Sequence, residues 1–523
     1  MIKNLSLLLA AAFCFTTLSN AFAQPGNLDT DFDTDGIVQT HLSGYNQAGA
    51  NSVVIQNDGK IVVAGVAGNG VTYHGFLARY NEDGSLDNTF GTNGIVLGSS
   101  YGTRNWFNAL ALQDNGKIVA VGLIKSGNYN QFLISRYKSD GSFDTNFGNN
   151  GWTTLDFGTA NDVANALGIQ SDGKIVVGGE TQSSSVYKFL VARYDTTGNL
   201  DNTFSSDGMD TLSFAGPDNR CKTLVIQPNG KIIAAGNGHN GTDTDLGFVR
   251  YNTDGTLDAS FGNGGKALFG YSISETVRSA TLQSDGKILA CGYVVPGGAY
   301  VLRLNADGTL DTGFGTNGIT ISNDLNSSAA AISLQTDGMI LTAGVSFSNG
   351  GGTESDMALR RYQSNGQPDS TFGTNGLVYT DVNNGEYDEA RGMALQPDLK
   401  IVVSGTGAFP SSSNTDLLVA RYLPGITVGV IDQVNCISEQ LVYPNPVRES
   451  QLKLKYDLLK NENLTLQLFD MQGRLMKTYL DDEKRMAGKH EEQLPLPASM
   501  RAGTYFLKIN AGASQVSILI EKL

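Results

Sequence analysis

The residues best placed for chemistry begin with Asp31-Phe32-Asp33-Thr34-Asp35-Gly36, which has the D-x-D-x-D-G start of a calcium loop. Calcium is therefore the one cofactor the sequence suggests, with Asp31, Asp33 and Asp35 as ligands. The position that should supply a bidentate glutamate is Leu42, however, and other copies of the segment place Gly or Ser and Asn or Asp where the aspartates stand, so a plain turn is the competing reading. The four histidines, His41, His74, His239 and His490, fall in no recognised motif. No G-x-S-x-G elbow and no H-E-x-x-H zinc motif occurs, which argues against nucleophilic and zinc hydrolysis. Carboxylate pairs brought together in space stay open as a route to glycan cleavage. Two further sets of residues suit binding. One is aromatic, Tyr73, Tyr101 and Trp106 among Asn, Asp and Gly, a mixture that fits sugar faces or peptide. The other is cationic, Lys222, Arg278 and Arg391 at equivalent strand positions, placed by their spacing at a channel mouth where an anion would be drawn.

These residues sit in a chain of 523 with 64 glycines, 12 prolines, 40% apolar and 17% charged residues. That balance fits a packed, turn-rich protein rather than a disordered or collagen-like one. The formal charge is −15, so the basic footprint of a nucleic-acid binder is absent. Lys3, the apolar run Leu5–Leu18 and Ala21-Phe22-Ala23 form a signal peptide over 1–23, with the mature chain starting at Gln24. No later run is long and apolar enough for a transmembrane segment. Of the cysteines only Cys221, Cys291 and Cys436 outlast the signal. A Cys221–Cys291 bridge is possible, and a small buried residue is the simpler reading of Cys291.

Internal repeats organise the rest. One element reads QNDGKIVVAG, QDNGKIVAVG, QSDGKIVVGG, QPNGKIIAAG, QSDGKILACG, QTDGMILTAG and QPDLKIVVSG, its turn glycines at Gly59, Gly116, Gly173, Gly230, Gly286 and Gly338, with Leu399 in the seventh copy. A second carries Phe32, Phe90, Phe147, Phe204, Phe261, Phe314 and Phe372 in LDxTFGTNG-like segments. A third is an Arg-Tyr pair (Arg-Leu in one copy) after an apolar strand, at Arg79, Arg136, Arg193, Arg250, Arg303, Arg361 and Arg421. Each copy holds four short strand patterns split by Asp-Gly and Asn-Gly turns. The expectation is an all-β fold: a seven-bladed β-propeller of four-stranded blades over 24–423, a linear solenoid being the alternative. The last copy has only three strands of its own, so Gly36–Thr40 is expected to supply the fourth and close the ring. Seven arginines matched by seven LD aspartates read as one structural ion pair per blade. The turns alike in every copy share one rim, and the connections that vary share the other, which is the expected binding face.

The pattern over about 28–423 resembles the delta-60 repeat family, a resemblance that implies a fold more than a biochemistry. After a linker at 424–440, the segment 441–523 carries +2; with Lys3 at +1 and the whole chain at −15, about −18 is left on the mature chain before it. Its strand patterns suggest a small Ig-like β-sandwich. Tyr443-Pro444-Asn445-Pro446, then Phe469-Asp470-Met471-Gln472-Gly473-Arg474, then Ala502-Gly503-Thr504-Tyr505-Phe506-Leu507 resemble the type A sorting domain of the type IX secretion system. By that resemblance Tyr443, Pro444, Asn445, Pro446, Gly473, Gly503 and Tyr505 form the sorting motif, and the secretion machinery is the partner. The expected location is extracellular or the outer-membrane surface. The expected role is a binding or adhesion scaffold with a glycan or surface-protein ligand; a polysaccharide-active enzyme and a structural matrix component are the alternatives.

Overall fold

The structure is a computed structural model that describes residues 24–98, 102, 104–157, 161–347, 355–382, 387–408, 414–425, 437–443, 445, 447–448, 450–458, 461–470, 474–498, 500–511 and 514–523. The signal peptide 1–23, Tyr101, Cys436, Pro444, Pro446 and Gly473 lie outside the described residues. Strands account for the regular structure, with no α-helix among the described residues. Two compact units divide between Gly425 and Ile426.

In the first unit the repeated motif becomes an antiparallel meander. The first copy runs Gln47–Ile55, Ile61–Gly68, Tyr73–Tyr80 and Ile95–Leu97, each strand paired to the next. Seven such meanders follow one another, and their inner strands begin at Gln47, Asn105, Asn161, Arg220, Ser274, Ser328 and Asp388. Each inner strand packs on the next, and Asp388–Leu395 packs on Gln47–Ile55, so the blades form a closed ring. The core is distributed: one apolar cluster fills each seam between consecutive blades. Large and small residues face each other there. A Cβ added to Gly168 of the third blade would stand 2.6 Å from Ile226 of the fourth, so the glycine is a packing requirement.

The final blade takes three strands from its own repeat, and Ile37–Thr40 supplies the fourth, with Ile37 opposite Ala420 and Thr40 opposite Leu417. The Thr40 hydroxyl lies 2.7 Å from the Tyr80 hydroxyl, tying the closing strand to the first blade as well. Pairing continues upstream of this strand: the Gly26 N–H donates to Leu423 O at 3.1 Å and the Leu423 N–H to Asn27 O at 2.8 Å.

The DGK turn explains its glycine. Six copies hold Gly at φ +79 to +85, a left-handed region costly for residues with a Cβ, and Leu399 is forced to φ +70 in the seventh. Leu399→Gly should therefore stabilise the protein by about 1 kcal/mol. A thermal or denaturant midpoint that stays put or falls would refute this.

The second unit is built of a three-stranded sheet (Ile437–Tyr443, Gln451–Leu458, Gly488–Pro495) and a four-stranded sheet (Leu475–Arg485, Glu462–Asp470, Gly503–Ala511, Ser514–Lys522). Alternation along Gln451–Leu458 and Glu462–Asp470 turns Leu452, Leu454, Leu464, Leu466 and Leu468 into a single core with Leu507 and Ile509.

Candidate functional site: two unlike rims and a channel

The rim bearing the uniform turns is a closed set of ion pairs. All seven repeat arginines meet their aspartates at 2.6–2.8 Å, including Arg421 with Asp29 from the N-terminal segment. Each guanidinium also lies 4.4–4.9 Å from the centre of the repeat phenylalanine. Each then donates to a backbone carbonyl in the next blade's turn, as from Arg136 to Thr196 O at 2.7 Å and from Arg361 to Pro424 O at 2.7 Å. The DGK lysine is a third member that motif spacing alone did not reveal. Lys60, Lys117, Lys174, Lys231, Lys287 and Lys400 reach the same aspartates at 2.6–3.1 Å, and Met339 takes this place in the sixth blade.

Burial by itself pushes the Asp87, Asp201 and Asp258 carboxyls up. The hydrogen bonds from lysine and the Thr or Ser hydroxyl, together with the arginine charge, outweigh it and hold them far below the usual range. Asp29 and Asp369 are lowered against the same burial. These side chains satisfy one another and leave little to offer a ligand.

The possible calcium loop belongs to this rim and is a turn. The Asp31 N–H donates to Asp29 Oδ1 at 3.3 Å, Asp35 Oδ1 accepts from the Ile37 N–H at 2.9 Å, and the Asp33 N–H donates to Asp83 O at 2.9 Å. Asp31, Asp33 and Asp35 are exposed, and among the described residues no group of three or more acidic, His or Cys side chains is gathered to hold a metal.

Each of the seven inner strands has a register shift at one equivalent position, Asn51, Asn108, Asn165, Lys222, Arg278, Ala330 or Arg391. The inner strands extend further toward the variable rim than the repeat pattern predicts, from Gln47 rather than Asn51 in the first copy. The cationic set thus lies partway along the channel, not at its mouth. Three asparagines link the blades, Asn51, Asn108 and Asn165 donating to the carbonyls of Phe107, Ala164 and Cys221 at 2.8–2.9 Å. Lys222 is paired with Glu180 at 2.9 Å, and Arg391 with Glu389 at 2.9 Å. Arg278 is exposed, its guanidinium 5.5 Å from the Tyr293 ring centre, with no carboxylate partner among the described residues. Cys221 and Cys291 are free and buried in different seams, where burial raises the Cys221 thiol to about 12.

On the variable rim Tyr73 is half-buried, with the Arg104 guanidinium 5.2 Å from its ring centre, and Trp106 is half-buried in the inner strand of the second blade. Aromatic content alone does not reveal the aliphatic side chains there. Val71, Tyr129, Val186, Ile273, Val295, Leu325 and Tyr387 are all exposed in or beside connections of this rim. The other exposed large apolar side chains of the unit, Leu97, Ile321 and Tyr379, are on outermost strands, and none is in the DGK or LDxxFG turns. For Val71 and Leu325 the signal in the sequence is a lone aliphatic residue inside a Gly- or Asn-rich loop. Asp245 and Glu275 are close enough to interact, and burial pushes both carboxyls up. Glu275 accepts from the Tyr271 N–H at 3.1 Å and is fully covered, so the pair anchors a loop.

In the second unit the motif residues have structural work. The Asn445 amide donates to Leu519 O at 2.7 Å and its Oδ1 accepts from the Glu521 N–H at 2.8 Å, pinning the last strand. Tyr505 is buried with its hydroxyl donating to Arg501 O at 2.9 Å, a tyrosine-corner arrangement, and Gly503 supplies a φ of +149 just before it. The Tyr443 hydroxyl donates to Glu491 at 3.2 Å.

Fold and rims together define a β-propeller scaffold followed by a small two-sheet domain. Six segments, 56–90, 113–147, 170–204, 227–261, 283–314 and 335–372, match the domain of unknown function DUF5122 beta-propeller, and 441–521 match the secretion system C-terminal sorting domain. The chain thus carries DUF5122 β-propeller repeats and a type IX sorting domain, and that domain marks it for export to the cell surface or beyond. No helix among the described residues is long and apolar enough to cross a membrane.

The chain has no significant match among curated proteins. Among solved structures it is similar to PorZ, a bacterial surface component of the type IX secretion system of Porphyromonas gingivalis, at 11% identity and a TM-score of 0.37 over 92% of this chain; it spans only 61% of that protein. It is also similar to Sqt1 from Chaetomium thermophilum (12% identity, TM-score 0.39, 72% of this chain and 97% of that one). A third is a GH43 endo-arabinanase from Bacillus licheniformis (9%, 0.26, 56% and 98%).

Proposed function

We propose that the exported propeller is a binding or adhesion scaffold whose ligand, a glycan or a surface protein, docks on the variable rim. The observation that carries this reading is the contrast between the rims. One is consumed by arginine, lysine and aspartate groups that bind each other, while exposed aliphatic and aromatic side chains gather in the variable connections of the other. Uniform turns then serve the scaffold, and loops free to differ from blade to blade serve recognition. The second unit delivers the scaffold through the secretion machinery.

The test is binding of the mature chain to an array of glycans and matrix proteins, with and without calcium. Hits should weaken about ten-fold or more on Trp106→Ala or Val71→Asp and be unmoved by Asp58→Asn on the opposite rim. Hits that respond only to Asp58→Asn, or turnover of an arrayed glycan, would overturn the reading.

A further inference from the structure

The fifth blade differs from the others in a way that names a partner. Ile273, Val295 and Leu325 are 68%, 47% and 68% exposed, Val295 at the end of a strand and the other two in separate connections. Backbone bonds hold those connections together: the Ile273 N–H donates to Val295 O at 3.1 Å, and the Asn326 N–H donates to Gly297 O at 2.9 Å. The three aliphatic residues are therefore carried on adjoining backbone at one end of this blade rather than scattered around the ring. Tyr293 lies two residues before Val295 in the strand Ile288–Val295, hence on the same face. The Arg278 guanidinium sits 5.5 Å from the centre of that ring. An apolar tip thus grades through an aromatic ring into a cation.

Arg278 is the odd member of its set. Lys222 and Arg391 occupy the equivalent bulges and are neutralised by Glu180 and Glu389, whereas Arg278 has no carboxylate among the described residues and remains exposed. The next bulge position holds Ala330, which adds no competing polar group. A guanidinium stacked on tyrosine presents its donor fork to a carboxylate with little ordering cost.

We infer that the fifth-blade tip docks a protein segment bearing a large aliphatic or aromatic side chain a short distance from a carboxylate. The inference rests on the variable rim being the binding face and names its partner class. Aliphatic groups as exposed as Ile273 and Leu325 bury more apolar surface against an apolar side chain than against a hydroxyl-rich acidic sugar, so a peptide suits the patch better than an acidic glycan.

The experiment pans a displayed library of random short peptides against the full mature chain and measures the selected peptides by fluorescence anisotropy, with oligogalacturonate as the acidic-glycan arm. The expected peptides pair a large apolar residue with a nearby Asp or Glu. Leu325→Asp or Ile273→Asp should weaken them about ten-fold, and Arg278→Gln should do the same. The Arg278 effect should vanish for peptides whose acid is replaced by its amide. Both sites are exposed, and unchanged melting would show that the variants fold. Selected peptides indifferent to all three variants would overturn the inference, as would oligogalacturonate binding that needs Arg278 and not Leu325. Peptides lost on Trp106→Ala alone would overturn the fifth-blade assignment and leave the rim reading standing. A rim that retains neither peptide nor glycan would remove both.

Discussion

A chain lacking residues 24–41 should not form a stable ring. It loses the fourth strand of the last blade, and with it fully buried Phe32 and nearly buried Val38. Emptying a phenylalanine site typically costs about 3–5 kcal/mol. It also loses Asp29, the carboxylate facing both Arg421 at 2.7 Å and Lys400 at 3.0 Å. Stranding a buried ion-pair partner costs about 3–5 kcal/mol more. The sum approaches the whole stability of an ordinary domain, about 5–15 kcal/mol. The strand Thr415–Tyr422 would in addition become an open edge able to pair with another chain. We expect loss of the cooperative melt or a large drop in midpoint, with aggregation on size-exclusion chromatography. A monomer with an unchanged midpoint would show that the ring closes without its N-terminal strand.

Removing the arginine of the sixth blade should do more harm than removing that of the fourth. Met339 stands where the other blades have lysine, so Arg361 is the one cation paired with Asp369 among the described residues, at 2.6 Å. Arg361→Met leaves a 3%-exposed carboxylate without a counter-charge, at an expected cost of about 3–5 kcal/mol. Arg250→Met removes an equivalent arginine but leaves Lys231 at 2.7 Å from Asp258, so the loss should be smaller by about 1–2 kcal/mol.

The pH dependence separates this from simple loss of packing. In the intact protein Asp369 is held below its ordinary value, since Thr371, Arg361 and the backbone outweigh burial. Its contribution is present above the unfolded value and lost as pH falls toward the folded one. In Arg361→Met the arginine's charge and hydrogen bond are gone while those from Thr371 remain, so the folded value moves up toward the unfolded one and less stability is lost as pH falls. The gap between variant and parent should therefore narrow from pH 7 to pH 4 in denaturant melts. Equal losses for both arginine variants, or a gap independent of pH, would contradict the ion-pair account.

Much of this architecture is legible in the sequence because a repeat protein states its local chemistry seven times. Recurrence made the Arg and LD Asp stand out as partners, and a three-strand final copy made an N-terminal closing strand necessary. The lysine of the same cluster was hidden: it lies 27 residues from its aspartate in the first copy, inside a motif already explained as a turn. The aspartates 31, 33 and 35 read as ligands in one dimension; in the structure they lie exposed in a turn.

The order of strands, the placement of turn glycines and the division of the rims can all be read from local periodicity and backbone preference. Which cations are spoken for depends on the folded ring. Lys222 meets Glu180 across 42 residues, and Arg278, in the same position one blade later, meets none among the described residues. Charge neutralisation depends on neighbours brought together around the ring, and repeat spacing carries no information about a residue that differs in each copy.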